Sequence, residues 1–179
     1  MIDSAIIIWA LAPFRRFVVN SQYFPWNLPE KNNFFNNFFL RFCCYLSRCI
    51  PVERRGPPDE TRRVLDKIQD LLSSQESIMI FPEGHRSRSG RIDTENYAYG
   101  VGRIVQGTPG TSVLCLYLRG KHQKTYSNLP RWGDTFYIDM EVIKPSSPDH
   151  GLRGSRDIAS QIIGKLDEME KKYFEFRKF

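Results

Sequence analysis

With 179 residues, 41% of them apolar and 12 glycines besides, the chain has the composition of one globular domain, which excludes a disordered, collagenous or disulfide-built protein. At this length folding hides roughly 70% of the unfolded surface, so a core forms without metal or cross-links. The 26 Lys and Arg against 20 Asp and Glu leave +6, concentrated in residues 1–56 and 81–131, and phosphate on nucleic acid, on an anionic membrane or on a small substrate would each suit such segments.

In chain order, Ala5, Ile8, Trp9 and Leu11–Ala12 fall at helical spacing up to Pro13, and Phe17–Val19 reads as a short buried strand. The apolar run Ser4 to Phe14 is about eleven residues, short of the roughly 18–20 that span a bilayer, so no span is expected. Asp3 stands before this run and Arg15–Arg16 after it, the reverse of a secretory signal. Its start three residues from Met1 leads us to expect that part of the domain lies upstream. After a turn-rich link, Phe34, Phe35, Phe38, Phe39, Phe42, Cys43 and Leu46 recur at helical spacing. This aromatic face has two open readings: an ordinary core face, or side chains that dip into lipid beside basic residues.

Cys49–Val52 reads as a short strand, followed after two prolines by a helix over Asp59–Ser74 with Val64, Leu65, Ile68, Leu71 and Leu72 on one face. Ile78–Phe81 is a predicted buried strand. Thr94 is the expected cap of a helix containing Tyr97, Val101, Ile104 and Val105. Ser112–Leu118 and Tyr137–Ile143 are predicted strands, and a last helix carries Ile158, Ile162, Ile163, Leu166, Met169 and Tyr173 on one side. Alternating strands and helices without a repeat predict one α/β domain, a mixed, largely parallel sheet flanked by helices. Cys43, Cys44, Cys49 and Cys115 contain no Cys-x-x-Cys pair and read as four reduced thiols in a reducing compartment.

The most unusual stretch is Phe81-Pro82-Glu83-Gly84-His85-Arg86-Ser87-Arg88-Ser89-Gly90. A strand end there delivers a carboxylate, a flexible turn, two guanidiniums and two hydroxyls to a sheet rim, where ligands of open α/β sheets bind. Arginine forks and turn N–H groups suit phosphate oxygens, and Glu83 would accept a hydrogen bond from an alcohol, so the stretch fits a phosphate ester with a free hydroxyl. An exposed basic loop with Glu83 paired to one of its arginines fits the same residues.

Phe81 to Ser87 resembles the Phe-Pro-Glu-Gly-Thr-Arg-Ser block of the glycerolipid acyltransferases, the group that includes 1-acylglycerol-3-phosphate acyltransferase. Ile50-Pro51-Val52-Glu53-Arg54 is similar to that family's Ile-Pro-Val-x-Arg segment, and Val113–Tyr117 resembles its fourth block without the usual proline. The resemblance runs from Asp3 to about Ile143 and implies a glycerolphosphate acyltransferase-like fold. It implies that Arg54, Glu83, Gly84, His85, Arg86 and Ser87 hold the phosphate and glycerol part of the acceptor.

In the family's His-x-x-x-x-Asp block, histidine takes the proton of the acceptor alcohol as it attacks the acyl thioester, and aspartate orients the ring; an alcohol needs such a base near pH 7. Five residues beyond His85, His122 and His150 stand Gly90, Ser127 and Ser155, so none of them fits. Asp3 sits where the block's aspartate belongs, which would place its histidine upstream of Met1. Residues 1–179 are accordingly expected to form a single acyltransferase-like domain lacking an N-terminal part with the catalytic histidine, inactive as it stands. His85 is expected to be a neutral hydrogen-bonding residue, because Arg86 and Arg88 disfavour its charged form. His122 and His150 read as solvated loop residues.

The resemblance implies an O-acyltransferase of phospholipid biosynthesis, moving a fatty acyl group from acyl-CoA or acyl carrier protein to the hydroxyl of a lysophospholipid, foremost 1-acylglycerol-3-phosphate. No metal or other cofactor is expected. An amphiphilic acceptor places the protein peripherally on the cytoplasmic face of a membrane, attached by basic residues such as Lys121, Lys124 and Arg131 and by aromatics such as Trp26, Phe34 and Phe35. The alternatives are a non-catalytic phospholipid-binding relative that lacks the base, and an acyltransferase for another lysolipid. A nucleic-acid partner is not expected, since none of the common motifs is present.

Overall fold

The computed structural model describes residues 2–11, 24–31, 38–53, 56–84, 89–123 and 132–176. The predicted strand Phe17–Val19 and the first turn of the aromatic helix at Phe34 and Phe35 lie outside them. The chain forms two units, Met1–Ile80 and Phe81–Phe179.

The first unit contains α1 (Ile2–Leu11), β1 (Trp26–Asn27), α2 (Phe38–Leu46), α3 (Pro58–Ser73) and β2 (Ile78–Met79). Trp26 and Asn27 pair in parallel with Ile78 and Met79. The Cys49–Val52 segment joins β1 by parallel bridges of Cys49 to Asn27 and Val52 to Glu30. Helix α3 starts where the sequence offers proline at its first position and Asp59 and Glu60 in its first turn, which suit the positive end of the helix dipole. Ile68 is the fully buried residue of its apolar face. Its end is closed by Gln75 at φ 63°, with the Glu76 N–H bonded to the Leu71 carbonyl. Glu76 then takes a bidentate ion pair from Arg48 at 2.7 and 3.4 Å, tying the turn after α2 to the stretch before β2.

In helix α2 the described side chains separate the two readings. Cys44 is 0% exposed, while Phe38, Phe42, Tyr45 and Leu46 stand in solvent, so the core-face reading fails for Phe38 and Phe42. Trp26, expected as an exposed membrane anchor, is instead half-buried in β1 with the Arg48 and Lys67 cations 5.1 and 5.6 Å from its ring centre. Neighbouring cations on its face claim the indole for the unit's own packing.

The second unit contains α4 (Gly100–Gly107), β3 (Val113–Gly120), β4 (Phe136–Ile143) and α5 (Gly151–Phe176). Strands β3 and β4 are antiparallel, from Val113 opposite Ile143 to Gly120 opposite Phe136. Helix α5 packs on α4 and on β3, burying Ile158, Ala159, Ile162, Ile163, Met169 and Tyr173. The helices meet closely because Gly102 lies on the Ser155 backbone, where any Cβ would collide. Period-two alternation places Cys115, Tyr117 and Arg119 on the buried face of β3 and leaves Leu114, Met140 and Val142 exposed on the hairpin's other face.

The α/β class, with both parallel and antiparallel pairing and flanking helices, is as expected. Among the described residues, however, antiparallel pairing outweighs parallel, because only short pieces of the first unit's strands pair. Helix α4 also starts later than predicted. Asp93, not Thr94, accepts the N–H groups of Glu95 and Asn96 at 3.0 and 2.8 Å, which closes a local turn and delays the helix to Gly100. Strand β2 stops at Met79, and Phe81 is exposed.

Candidate functional site

The two sequence blocks fall in different units and each is built separately. In the first, Val52 is held by its bridge to Glu30, and the Lys31 N–H donates to the Val52 carbonyl at 2.9 Å. The chain then turns, the Gly56 N–H donating to the Glu53 carbonyl at 3.1 Å. Arg54 occupies this turn in sequence and lies outside the described residues. The Lys31 ammonium bridges Glu60 at 2.7 Å and Glu53 at 3.3 Å, binding both flanks of the turn to one cation. Glu60 and then Glu53 raise the Lys31 pKa, and Lys31 lowers that of Glu60. These groups are well exposed, so the gain in stability is small.

In the second block, the Gly84 N–H donates to the Phe81 carbonyl at 3.2 Å and the Ala98 N–H to the Pro82 carbonyl at 3.3 Å. Gly84 has φ 71°, and a Cβ there would stand 2.8 Å from that of Ala98. Both its left-handed backbone and its close approach to Ala98 therefore call for glycine. This turn fixes the half-buried Glu83 at a shallow recess of about 420 Å³, lined also by Gly84 and by residues of the Glu95–Tyr99 segment. His85, Arg86 and Ser87 lie outside the described residues. The chain after the loop is anchored again: the Glu170 carboxylate accepts from Arg91 Nε at 3.0 Å and from the Ile92 N–H at 3.3 Å.

Asp3 sits in the first turn of α1; its side chain lies outside the description. Among the other histidines, His150 is exposed, whereas His122 is more than a solvated loop residue. Its Nδ1 donates to Asp134 Oδ1 at 2.7 Å, with Asp134 only 4% exposed in its side chain. That bond, more than burial opposes it, holds the Asp134 carboxyl below its usual range. Asp134 is twelve residues from His122, so no local spacing signals the pair. Cys44, Cys49 and Cys115 are free thiols. Burial foremost pushes the Cys49 thiol up to about 12 and Cys115 up to about 11, so neither is a nucleophile near neutrality. Among the described residues no group of His, Cys, Asp and Glu is arranged to hold a metal ion.

A family model described as Acyltransferase matches residues 1–119, two thirds of the chain, including both blocks. The chain belongs to the Acyltransferase family. Comparisons with curated proteins and with solved structures give no match. Acyl transfer to an oxygen acceptor is the activity typical of the Acyltransferase family, whose donors are typically acyl-CoA or acyl carrier protein. Among the described residues no helix is long and apolar enough to cross a membrane.

Lys31, Glu170 and Asp134 escaped the sequence reading. Only Glu170 left a signal there. It falls at helical spacing between Leu166 and Tyr173, a charge inside an apolar stripe.

Proposed function

We propose that this Acyltransferase-family chain serves acyl transfer from acyl-CoA or acyl carrier protein to the free hydroxyl of a lysophospholipid, foremost 1-acylglycerol-3-phosphate, in phospholipid biosynthesis. The observation that carries the proposal is the family match over 1–119, which contains both the Arg54 segment and the Glu83 to Ser87 block. Arg54 and Arg86 take the acceptor's phosphate by charge-assisted hydrogen bonds. Glu83 receives a hydrogen bond from the glycerol part, Gly84 shapes the turn that presents it, and His85 and Ser87 complete the contacts. The base is a histidine five residues before Asp3, in a single acyltransferase-like domain that extends upstream of this chain, and Asp3 orients its ring. The protein works peripherally at the cytoplasmic face of a membrane. The exposed aromatic face of α2, with Arg41 exposed beside it, supports that placement.

The test uses the protein as its own host makes it, after its N-terminal sequence and intact mass are read. Acyl transfer from acyl-CoA to 1-acylglycerol-3-phosphate is expected from a protein that carries the upstream histidine. Arg54→Ala and Arg86→Ala should each raise the acceptor KM on the order of tenfold or more, with little change for the donor, because guanidinium–phosphate pairing belongs to the acceptor. Glu83→Gln should lower turnover with folding intact. Equal losses for donor and acceptor would sink the placement. A host protein that starts at Met1, binds lysophosphatidate and turns nothing over would make the lipid-binding reading the better one.

A further inference from the structure

The family match ends at Arg119, so α5 lies wholly beyond it. Yet a side chain of α5 reaches the stem of the substrate block. Glu170 is 3% exposed in its side chain, on the helix face otherwise filled by Ile163, Met169 and Tyr173. Besides Arg91 Nε and the Ile92 N–H, it accepts from the Tyr117 hydroxyl at 3.3 Å and lies 3.7 Å from the Arg119 guanidinium. Arg119 is itself buried. It donates to the Gly90 carbonyl and, at 3.3 Å, to that of Gln123. The Arg91 and Arg119 guanidiniums both cover the Phe174 ring, 3.9 and 5.0 Å from its centre.

Three consecutive residues after the block are thus each held at a different group: the Gly90 carbonyl by Arg119, the Arg91 side chain and the Ile92 N–H by Glu170. A buried carboxylate at a helix-packing position costs stability relative to an apolar residue, and that cost is offset only when its oxygens are filled by donors. Glu170 has three such donors, two of them in this stem, with the Arg119 cation 3.7 Å away. An apolar residue would pack α5 equally well and hold nothing. In the other stem the Gly84 N–H donates to the Phe81 carbonyl and the Ala98 N–H to the Pro82 carbonyl. Burial, and after it Glu170 itself, pushes the Tyr117 phenol up, which keeps it a donor to that carboxylate.

We propose that Glu170 is a positioning residue for acceptor binding: through Arg91, Ile92 and Arg119 it fixes the C-terminal stem of the Glu83 to Ser89 loop, bringing the last helix into the acyl-acceptor site. This rests on the reading that the block binds the acceptor's phosphate. The probe is a short-chain, monomeric lysophosphatidate, with acyl-CoA as the control ligand, and binding is measured so that turnover is not required. Glu170→Gln should weaken lysophosphatidate binding about tenfold, as loss of charged hydrogen bonds does, and leave acyl-CoA binding within about twofold. Hydrogen exchange should rise in the peptide over residues 84–92 and stay unchanged in α4. In an Arg86→Ala background Glu170→Gln should add little, since two residues acting through one loop are coupled. Arg91→Lys, at a position 48% exposed in its side chain, should act in the same direction and decides the matter if Glu170→Gln does not fold.

Both variants silent on lysophosphatidate, with Arg86→Ala damaging, would overturn the positioning role and leave the reading of the block standing. Donor and acceptor binding falling together, with exchange rising along all of α5, would also overturn it, leaving Glu170 a structural residue. Arg86→Ala without effect would overturn both.

Discussion

Helices α2 and α5 carry equally regular apolar spacing and do opposite things with it. On α5, Ile158, Ile162, Ile163, Met169 and Tyr173 are each at most 6% exposed, packed on α4 and β3. On α2, Phe38, Phe42, Tyr45 and Leu46, at i, i+4, i+7 and i+8, are between 54% and 87% exposed, while among its described side chains the small Cys44 is buried. Periodicity therefore identifies a helix and its stripe but not what the stripe faces. What decides is whether the fold supplies a protein surface. For α5 it does, down to Gly102 of α4, which lies on the Ser155 backbone, and Gly154, which leaves room for the Gln106 side chain. For α2, Phe38, Phe42, Tyr45 and Leu46 meet no such surface among the described residues, which would suit a helix lying in a lipid interface.

The comparison breaks first, and with the largest effect, at the core. Ile163→Ala should cost about 2–5 kcal/mol, the range for deleting buried aliphatic carbon, read as a lowered urea midpoint. The double change Phe42→Ser with Tyr45→Ser on α2 should leave the unfolding free energy within about 0.5 kcal/mol, as surface substitutions do. It should instead reduce binding to phosphatidylglycerol vesicles by about tenfold or more, since each inserted aromatic contributes up to about 1.5–3 kcal/mol. If the α2 variant unfolds as readily as the α5 one, the aromatic stripe is core and the contrast is lost.

The parts of the fold legible in the sequence are those written by local chemistry. Helix α3 is legible to within a residue from its prolines, acidic first turn and apolar face, and β3, β4 and α5 are legible as elements from uninterrupted period-two or helical spacing. Competition between neighbours was not legible. Asp93 takes the turn that Thr94 was expected to open, and Trp26 is claimed by Arg48 and Lys67. At the candidate site, one short block of sequence marks Glu83 and Gly84, and both line the recess. The groups that meet residues beside these blocks, Lys31 at Glu53 and Glu170 at Arg91, come from 22 and 79 residues away, where no spacing rule reaches.

The mildest test reads the orientation of α2 without disturbing its packing. Phe38→Cys places a thiol at a position 87% exposed, in a tryptic peptide, residues 32–41, that contains no native cysteine. Alkylation follows thiolate content and access. At pH 8 the introduced thiol should label within minutes. Cys44, 0% exposed, should label only on unfolding. Cys49 should also stay largely unlabelled, because a thiol pushed up to about 12 is about one ten-thousandth thiolate at that pH, and its labelling should rise steeply as pH is raised toward that value. Adding anionic vesicles should slow the labelling at position 38 and leave Cys44 and Cys49 as they were. Protection at position 38 without lipid would mean that protein covers the stripe. Exposure that vesicles do not change would mean that α2 faces water, and the membrane contact would have to come from another surface.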